Sequence, residues 1–196
     1  KGWRVLVTTT THILCPEDGT FAQNCAQAEI LWASGKYAVL GTPAPENKLT
    51  LPEPELLAAL LPQADAVFIE ADGAKHHPCK APAAHEPVLL PQSDIVLAVA
   101  GLSALRQPLQ EICFRWELAC TWLQTAPETQ LSPRLLARLL ADGRGGRKAV
   151  GARQFYAVLN QADTEGACHA GREMQALLQQ DGVQSVLTNF AQGERT

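Results

Sequence analysis

The chain has 196 residues, 46% of them hydrophobic, and 16 Lys and Arg against 20 Asp and Glu, for a net charge of −4. That is enough apolar material for a real core and a length suited to one large domain. The lack of a basic excess argues against a protein that lives on nucleic acid or on acidic lipid, and no apolar run reaches the roughly 18 residues needed to span a bilayer.

The first residues show no signal-peptide pattern. The six cysteines, Cys15, Cys25, Cys79, Cys113, Cys120 and Cys168, contain no C-x-x-C pair. Their scatter is that of reduced thiols in a cytoplasmic protein rather than of a disulfide framework.

In chain order, residues 4–10 (RVLVTTT) are a β-branched run and predict a buried strand. Residues 21–34 predict a helix stopped by Gly35, and residues 37–40 a short strand. Residues 52–61 place Leu56, Leu57, Leu60 and Leu61 on one helical face. Residues 66–71 (AVFIEA) and 95–100 (IVLAVA) predict strands apolar on both faces. Residues 108–124 predict one helix with Ile112, Trp116, Ala119 and Leu123 in register. Ser132 is a candidate N-cap and Pro133 a first-turn residue for a helix ending near Ala141. Residues 142–148 (DGRGGRK) read as a flexible basic loop. A strand over 155–159, a helix over 165–180 and a strand over 185–188 complete the chain.

Apolar strands alternating with helices predict a single α/β domain over residues 1–196, with a mainly parallel, three-layer sheet covered on both sides. Ligands of such sheets bind at the carboxyl ends of the strands. Polar residues collect there: Thr8 to Thr11 and His12 after the first strand, Glu70, Asp72, Gly73 and Lys75 after AVFIE, Ser103 after IVLAVAG, and Asn160, Gln161 and Asp163 after the strand at 155–159.

Each group has a chemical reading and a plainer one. Carboxylates past a buried strand suit Mg²⁺, which prefers hard oxygen ligands and keeps water and phosphate in its shell. Glu70 and Asp72, two apart, point the same way if both lie in the strand; the plain reading is an acidic strand end and a turn. The threonines at 8–11 can meet phosphate or metal-bound water, or simply favour a strand. LNQAD, residues 159–163, resembles the Asn-Lys-x-Asp base-recognition motif of GTP-binding proteins with Gln161 in the lysine position. A polar turn is the alternative. In FRWE, Arg115 can clamp an anion, although a solvated helix face is the simpler expectation. Lys75 and Lys80 beside a carboxylate pair suit a phosphate-bearing ligand with Mg²⁺. His76, His77, Cys79 and His85 raise a rival reading, a Zn²⁺- or Ni²⁺-binding module or metallochaperone, but their spacing fits no standard finger. There is no G-x-x-x-x-G-K-[ST], no serine nucleophile elbow and no H-E-x-x-H.

VLVTTTTHI, GKYAVLG, VFIEADGAKHHPCKAPAAHEPVL, a VAG segment ending in FRWE, and VLNQAD follow one another over about residues 4–163. In that order they resemble the YqeC-like family, accessory proteins for selenium-dependent molybdenum hydroxylases. The resemblance implies a P-loop nucleotide-binding fold, Mg²⁺, a nucleoside triphosphate (ATP or GTP), and a molybdenum hydroxylase or its cofactor as partner, with no nucleic acid and no membrane. It implies a Gly-rich phosphate loop ahead of the VTTTT strand. That strand starts at residue 4 here, so the strand, loop and helix of about thirty residues are expected to be absent from this chain, leaving an exposed sheet edge. By the same resemblance Thr10 and Thr11 follow the phosphate loop, and Glu70 and Asp72 sit at a Walker-B-like strand end. Lys75, Lys80, His85 and Glu86 form the signature loop, with Lys75 beside the two carboxylates as a catalytic candidate. Arg115 falls in the FRWE segment, and Asn160 and Asp163 in the base-recognition turn. A non-enzymatic scaffold that binds the hydroxylase is the remaining alternative.

Overall fold

Val5–Thr9 (β1) is extended because four of its five side chains are β-branched valines and threonines and the fifth is leucine. Thr8 and Thr9, with Leu6, are buried. The computed structural model describes residues 2–190, and these divide into two compact units. The first takes residues 2–73 and Val88–Leu90; the second takes Ala74–Pro87 and residues 91–190.

In the first unit β1 is followed by β2 (Ile13–Leu14) and α1 (Cys25–Ala33). The helix starts four residues later than its apolar pattern suggests. Phe21 bridges to Val39 instead, and the Asn24 side chain accepts from the Gln27 N–H as an N-cap. Then come β3 (Ala38–Val39), β4 (Thr42–Ala44), β5 (Lys48–Thr50), α2 (Pro54–Leu60) and β6 (Ala66–Glu70). One sheet has the order β3-β1-β6, all parallel; β2, β5 and β4 form a small antiparallel sheet. Leu6, Ala28, Leu40 and Leu60 lie at the centre of the core. Trp32 donates its indole N–H to the Val5 carbonyl, tying α1 to the sheet.

The second unit runs β7 (Cys79–Lys80), β8 (Ile95–Gly101), α3 (Leu109–Ile112), β9 (Cys113–Phe114), α4 (Trp116–Leu123), α5 (Pro133–Ala141), β10 (Gln154–Asn160), α6 (Glu165–Gln180) and β11 (Gln184–Leu187). Its main sheet has the order β11-β10-β8, all parallel, and β7 pairs in parallel with β9. Ser132 caps α5 and Thr164 caps α6, each accepting from a backbone N–H three residues on. Helix α6 lies close against β11 because Gly171 has no side chain. A Cβ there meets Leu187 Cδ1 at 2.4 Å.

The protein is thus a mixed α/β chain with mainly parallel sheets. Three expectations fail on particulars. The helix expected over 108–124 is split by β9, which pairs with β7, and by Arg115 at φ 60°. The basic stretch at 142–148 is not a free loop, since Gly145 and Gly146 donate backbone N–H bonds to the Asp142 and Leu139 carbonyls. The second unit's sheet is apolar on both faces, but only one is covered among the described residues. Ile95, Leu97, Val99 and Val186 are each about half exposed. In sequence this face cannot be told from a buried one, because the strand pattern is the same. Strands β6 and β8 each pair on one side only among the described residues.

Candidate functional site

The first unit gathers hydroxyls and carboxylates at the carboxyl ends of β1 and β6. Thr9 and Glu70 are partners in register. The Glu70 carbonyl accepts from the Thr10 N–H at 2.9 Å and the Thr9 hydroxyl at 3.0 Å. Thr10 also donates its hydroxyl to the Val88 carbonyl at 2.7 Å. Thr11 closes back on Thr9, its N–H donating to the Thr9 hydroxyl at 2.8 Å. The Glu70 carboxylate is exposed and lies over Gly73, whose added Cβ would sit 3.8 Å from Oε1. Strand β6 stops at Glu70, so Asp72 lies beyond it. The same-face relation expected of two carboxylates in a strand does not hold, because Glu70 ends the strand and Asp72 lies past it. The donors are all oxygens, the set Mg²⁺ takes, and Glu70 and Asp72 are the two that would hold it.

The signature loop belongs to the second unit and is organised by Glu86. This carboxylate is 13% exposed and receives Arg115 in a two-pronged pair at 2.6 and 2.9 Å, with Lys80 at 3.1 Å. The Ala83 N–H donates to it at 3.0 Å. His85, largely exposed, stands 3.9 Å away. Burial works to raise the Glu86 pKa, but the Ala83 N–H, Arg115 and Lys80 together outweigh it and hold the carboxyl down at about 2. Phe114 forms the floor of the cluster: Arg115 lies 4.3 Å from its ring centre, Lys75 5.1 Å and Lys80 5.4 Å, and His77 stacks at 6.0 Å. Lys75, His76 and Arg115 all take left-handed φ values, an uncommon state for residues with a Cβ. Lys148 fastens the loop from outside by donating to the Ala83 and Ala84 carbonyls.

The third group sits at the carboxyl ends of β8, β10 and β11, also in the second unit. Asn160 ends β10 and its Oδ1 accepts from the Thr188 hydroxyl at 2.9 Å. Gln161 turns the chain at φ 67° and accepts from the Ser103 hydroxyl at 2.5 Å. Gly101 permits this, because a Cβ there would stand 2.4 Å from Gln161 Oε1. Asp163 is exposed and its Oδ1 accepts the Phe190 N–H at 2.9 Å. The structure therefore joins Asn160 and Asp163 to two residues that motif reading did not single out, Thr188 and Phe190. Their position just past a parallel strand was the available signal.

The histidine and cysteine reading finds no support in the placement of its residues. Among the described residues no group of three or more His, Cys, Asp and Glu is placed to hold a metal. Cys79 is buried against Cys113, whose thiol, together with burial, raises its pKa. His77 stacks on Phe114, while His85 lies beside Glu86. No helix among the described residues is long and apolar enough to cross a membrane.

Parallel strands with polar turns at their carboxyl ends define a class, the α/β proteins that take ligands on that rim. Comparison with known proteins narrows it. The family described as YqeC protein matches residues 1–117, a span that includes Glu70, the signature loop and Arg115. A protein of Escherichia coli strain K12, named Uncharacterized protein YqeC, is 30% identical over 195 residues, covering 92% of this chain and 75% of that protein. The chain belongs to the YqeC family. No solved structure matches it.

Proposed function

We propose that this protein is a nucleotide-binding accessory factor with a P-loop NTPase-like sheet, acting with Mg²⁺ in the maturation of a selenium-dependent molybdenum hydroxylase. The observation that carries the nucleotide reading is the turn after β10. Asn160 is anchored by Thr188, Gln161 by Ser103, and Asp163 presents a carboxylate to solvent beside a backbone N–H. Such a fixed set of donors and acceptors suits the edge of a base. The group at Glu70 adds chemistry of the kind that a triphosphate with Mg²⁺ needs. In this reading Glu70 and Asp72 hold the metal and Thr10 and Thr11 line its approach, all within the first unit; Lys75, in the second unit, is an anion-binding candidate taken by itself. Lys80 and Arg115 act differently: their charges are engaged by Glu86, and they hold the signature loop in shape. The role in hydroxylase maturation is supported by the family resemblance of the ordered motifs.

Calorimetry on the natural full-length protein tests the nucleotide reading. Binding of ATP or GTP that strengthens with Mg²⁺, and that weakens by about tenfold or more in Asp72→Asn through loss of one metal ligand, is the expected result. Absence of any nucleotide binding overturns it. For the maturation role, deleting the gene should lower the activity of such a hydroxylase without lowering the amount of its polypeptide; unchanged activity overturns that role alone.

A further inference from the structure

We propose that the cavity beside Phe114 is a ligand site for a small aromatic phosphate, with the ring against Trp116 and the phosphate met by Lys75. This rests on the reading of Lys75 as an anion-binding residue and adds the class of ligand; it does not depend on nucleotide binding at the turn after β10. The cavity lies within the second unit and has a volume of about 380 Å³, inside the roughly 300–1,000 Å³ of small-molecule sites. His77, Phe114 and Trp116 give it aromatic walls, and Gln110, Arg115 and Glu117 bring polar groups to it.

The walls suit a flat ring. The His77 and Phe114 rings stack with centres 6.0 Å apart and planes 14° apart. That is the spacing of a pair in contact, so a guest lies alongside the two rings rather than between them. Trp116, the first residue of α4, is half-buried and offers the larger surface.

The charges select an anion. Three cations stand over the Phe114 ring, and Glu86 engages two of them, Lys80 and Arg115. Lys75 is exposed and has no carboxylate partner among the described residues; its ammonium lies 5.1 Å from the ring centre. The backbone holds it there under strain. Lys75 and His76 take φ values of 48° and 66°, and the His77 N–H donates to the Ala74 carbonyl at 3.0 Å, closing a tight turn. Two adjacent left-handed residues, neither a glycine, are strain of the kind that clusters at ligand sites. The turn sets both Lys75 and His77 on one ring. The start of α4 adds to the pull: no side chain caps it, and first-turn N–H groups have no acceptor inside a helix. A phosphate monoester has oxygens enough for the ammonium and for such N–H groups together. Glu117, exposed in the same lining, opposes an anion, so removing its charge should tighten binding.

The test is calorimetry on the natural full-length protein with 1-naphthyl phosphate, 1-naphthol and inorganic phosphate. Naphthyl phosphate should bind about tenfold or more tightly than naphthol, which lacks the charge, and than inorganic phosphate, which lacks the ring. Asparagine tolerates a left-handed turn, so Lys75→Asn keeps the backbone and should weaken naphthyl phosphate by about tenfold, while Lys75→Arg keeps most of the affinity. Glu117→Gln should bind it a few-fold more tightly, a gain that a misfolded variant cannot give. Naphthol binding as tightly as its phosphate, or Lys75→Asn and Glu117→Gln leaving naphthyl phosphate unchanged, overturns the site. Inorganic phosphate binding as tightly as naphthyl phosphate, and lost in Lys75→Asn, overturns the aromatic ligand and leaves Lys75 as an anion-binding residue. No binding of any of the three overturns both, and the nucleotide reading is decided by its own titration.

Discussion

The signature loop, dense in charge, and the turn after β10, whose one charged group at 160–163 is Asp163, differ in how their polar groups are used. Around Glu86 each charge already has a partner: two cations, a backbone N–H and an aromatic floor. At Asp163 a single bond to a backbone N–H engages one oxygen, and the carboxylate stays exposed. The first arrangement lowers the energy of the folded loop. The second keeps hydrogen-bonding capacity for something that arrives. A dense run of charge in sequence therefore marks structure as readily as a site, and only the partners tell which.

Four substitutions can break or sharpen this contrast. Glu86→Gln has the largest expected effect on stability. It leaves Arg115 and Lys80 facing a neutral amide in a nearly enclosed place, at a cost of about 2–4 kcal/mol. For a chain of this size that lowers the melting temperature by roughly 5–12 °C, while nucleotide affinity measured well below the melt stays within about twofold. A shift under about 1 °C would mean that the cluster is not the structural element described here.

The same residue predicts a pH dependence. The Glu86 carboxyl is held below its ordinary value of 4.5, at about 2. A depressed carboxylate contributes stability that is present above the unfolded value and is lost as the pH falls through the folded one. Unfolding free energy measured in urea should drop between about pH 4.5 and 2 in the natural protein, and that part of the drop should vanish in Glu86→Gln. An identical slope in both proteins contradicts the assignment.

Lys148→Met removes the donor to the Ala83 and Ala84 carbonyls and should cost about 1–2 kcal/mol, again without loss of nucleotide affinity. Gly101→Ala should do the opposite. Its Cβ would meet the movable end of Gln161 at 2.4 Å and Pro78 Cβ at 3.1 Å. Stability should fall by less than about 1 kcal/mol, because a side-chain end can shift, while nucleotide affinity falls several-fold as Gln161 leaves its place. Smallest of all, Thr188→Val removes one hydroxyl bond to Asn160, worth about 1 kcal/mol. It should appear as a few-fold loss of affinity in the same titration.

Much of this frame was readable from local chemistry. The β-branched run at β1, the Ser132 cap and the strand-end Glu70 lie where their patterns place them. What could not be read depends on distant partners. Residues 113–114 carry a good helical pattern, but pairing with Cys79 and Lys80 makes them a strand. Once that strand forms, Arg115 must turn through a left-handed conformation to restart the helix, which aims its guanidinium at Glu86. Phe21 is drawn out of α1 by Val39 in the same way. The three short strands of the antiparallel sheet, β2, β4 and β5, have too few residues for an alternating pattern and include Pro43. In the site, the acceptor Asp163 was visible as a motif residue, but its donor was not. A backbone N–H leaves no trace in side-chain identity, so the only sequence signal for Phe190 was its place just past the last strand.

Hydrogen exchange on the natural full-length protein, with and without Mg²⁺-GTP, tests the contrast between the two regions most directly. The account predicts new protection in peptides covering residues 160–163 and 188–190, and no change across 79–87, where the bonds are already made. Protection confined to residues 79–87, with none around Asp163, would contradict it.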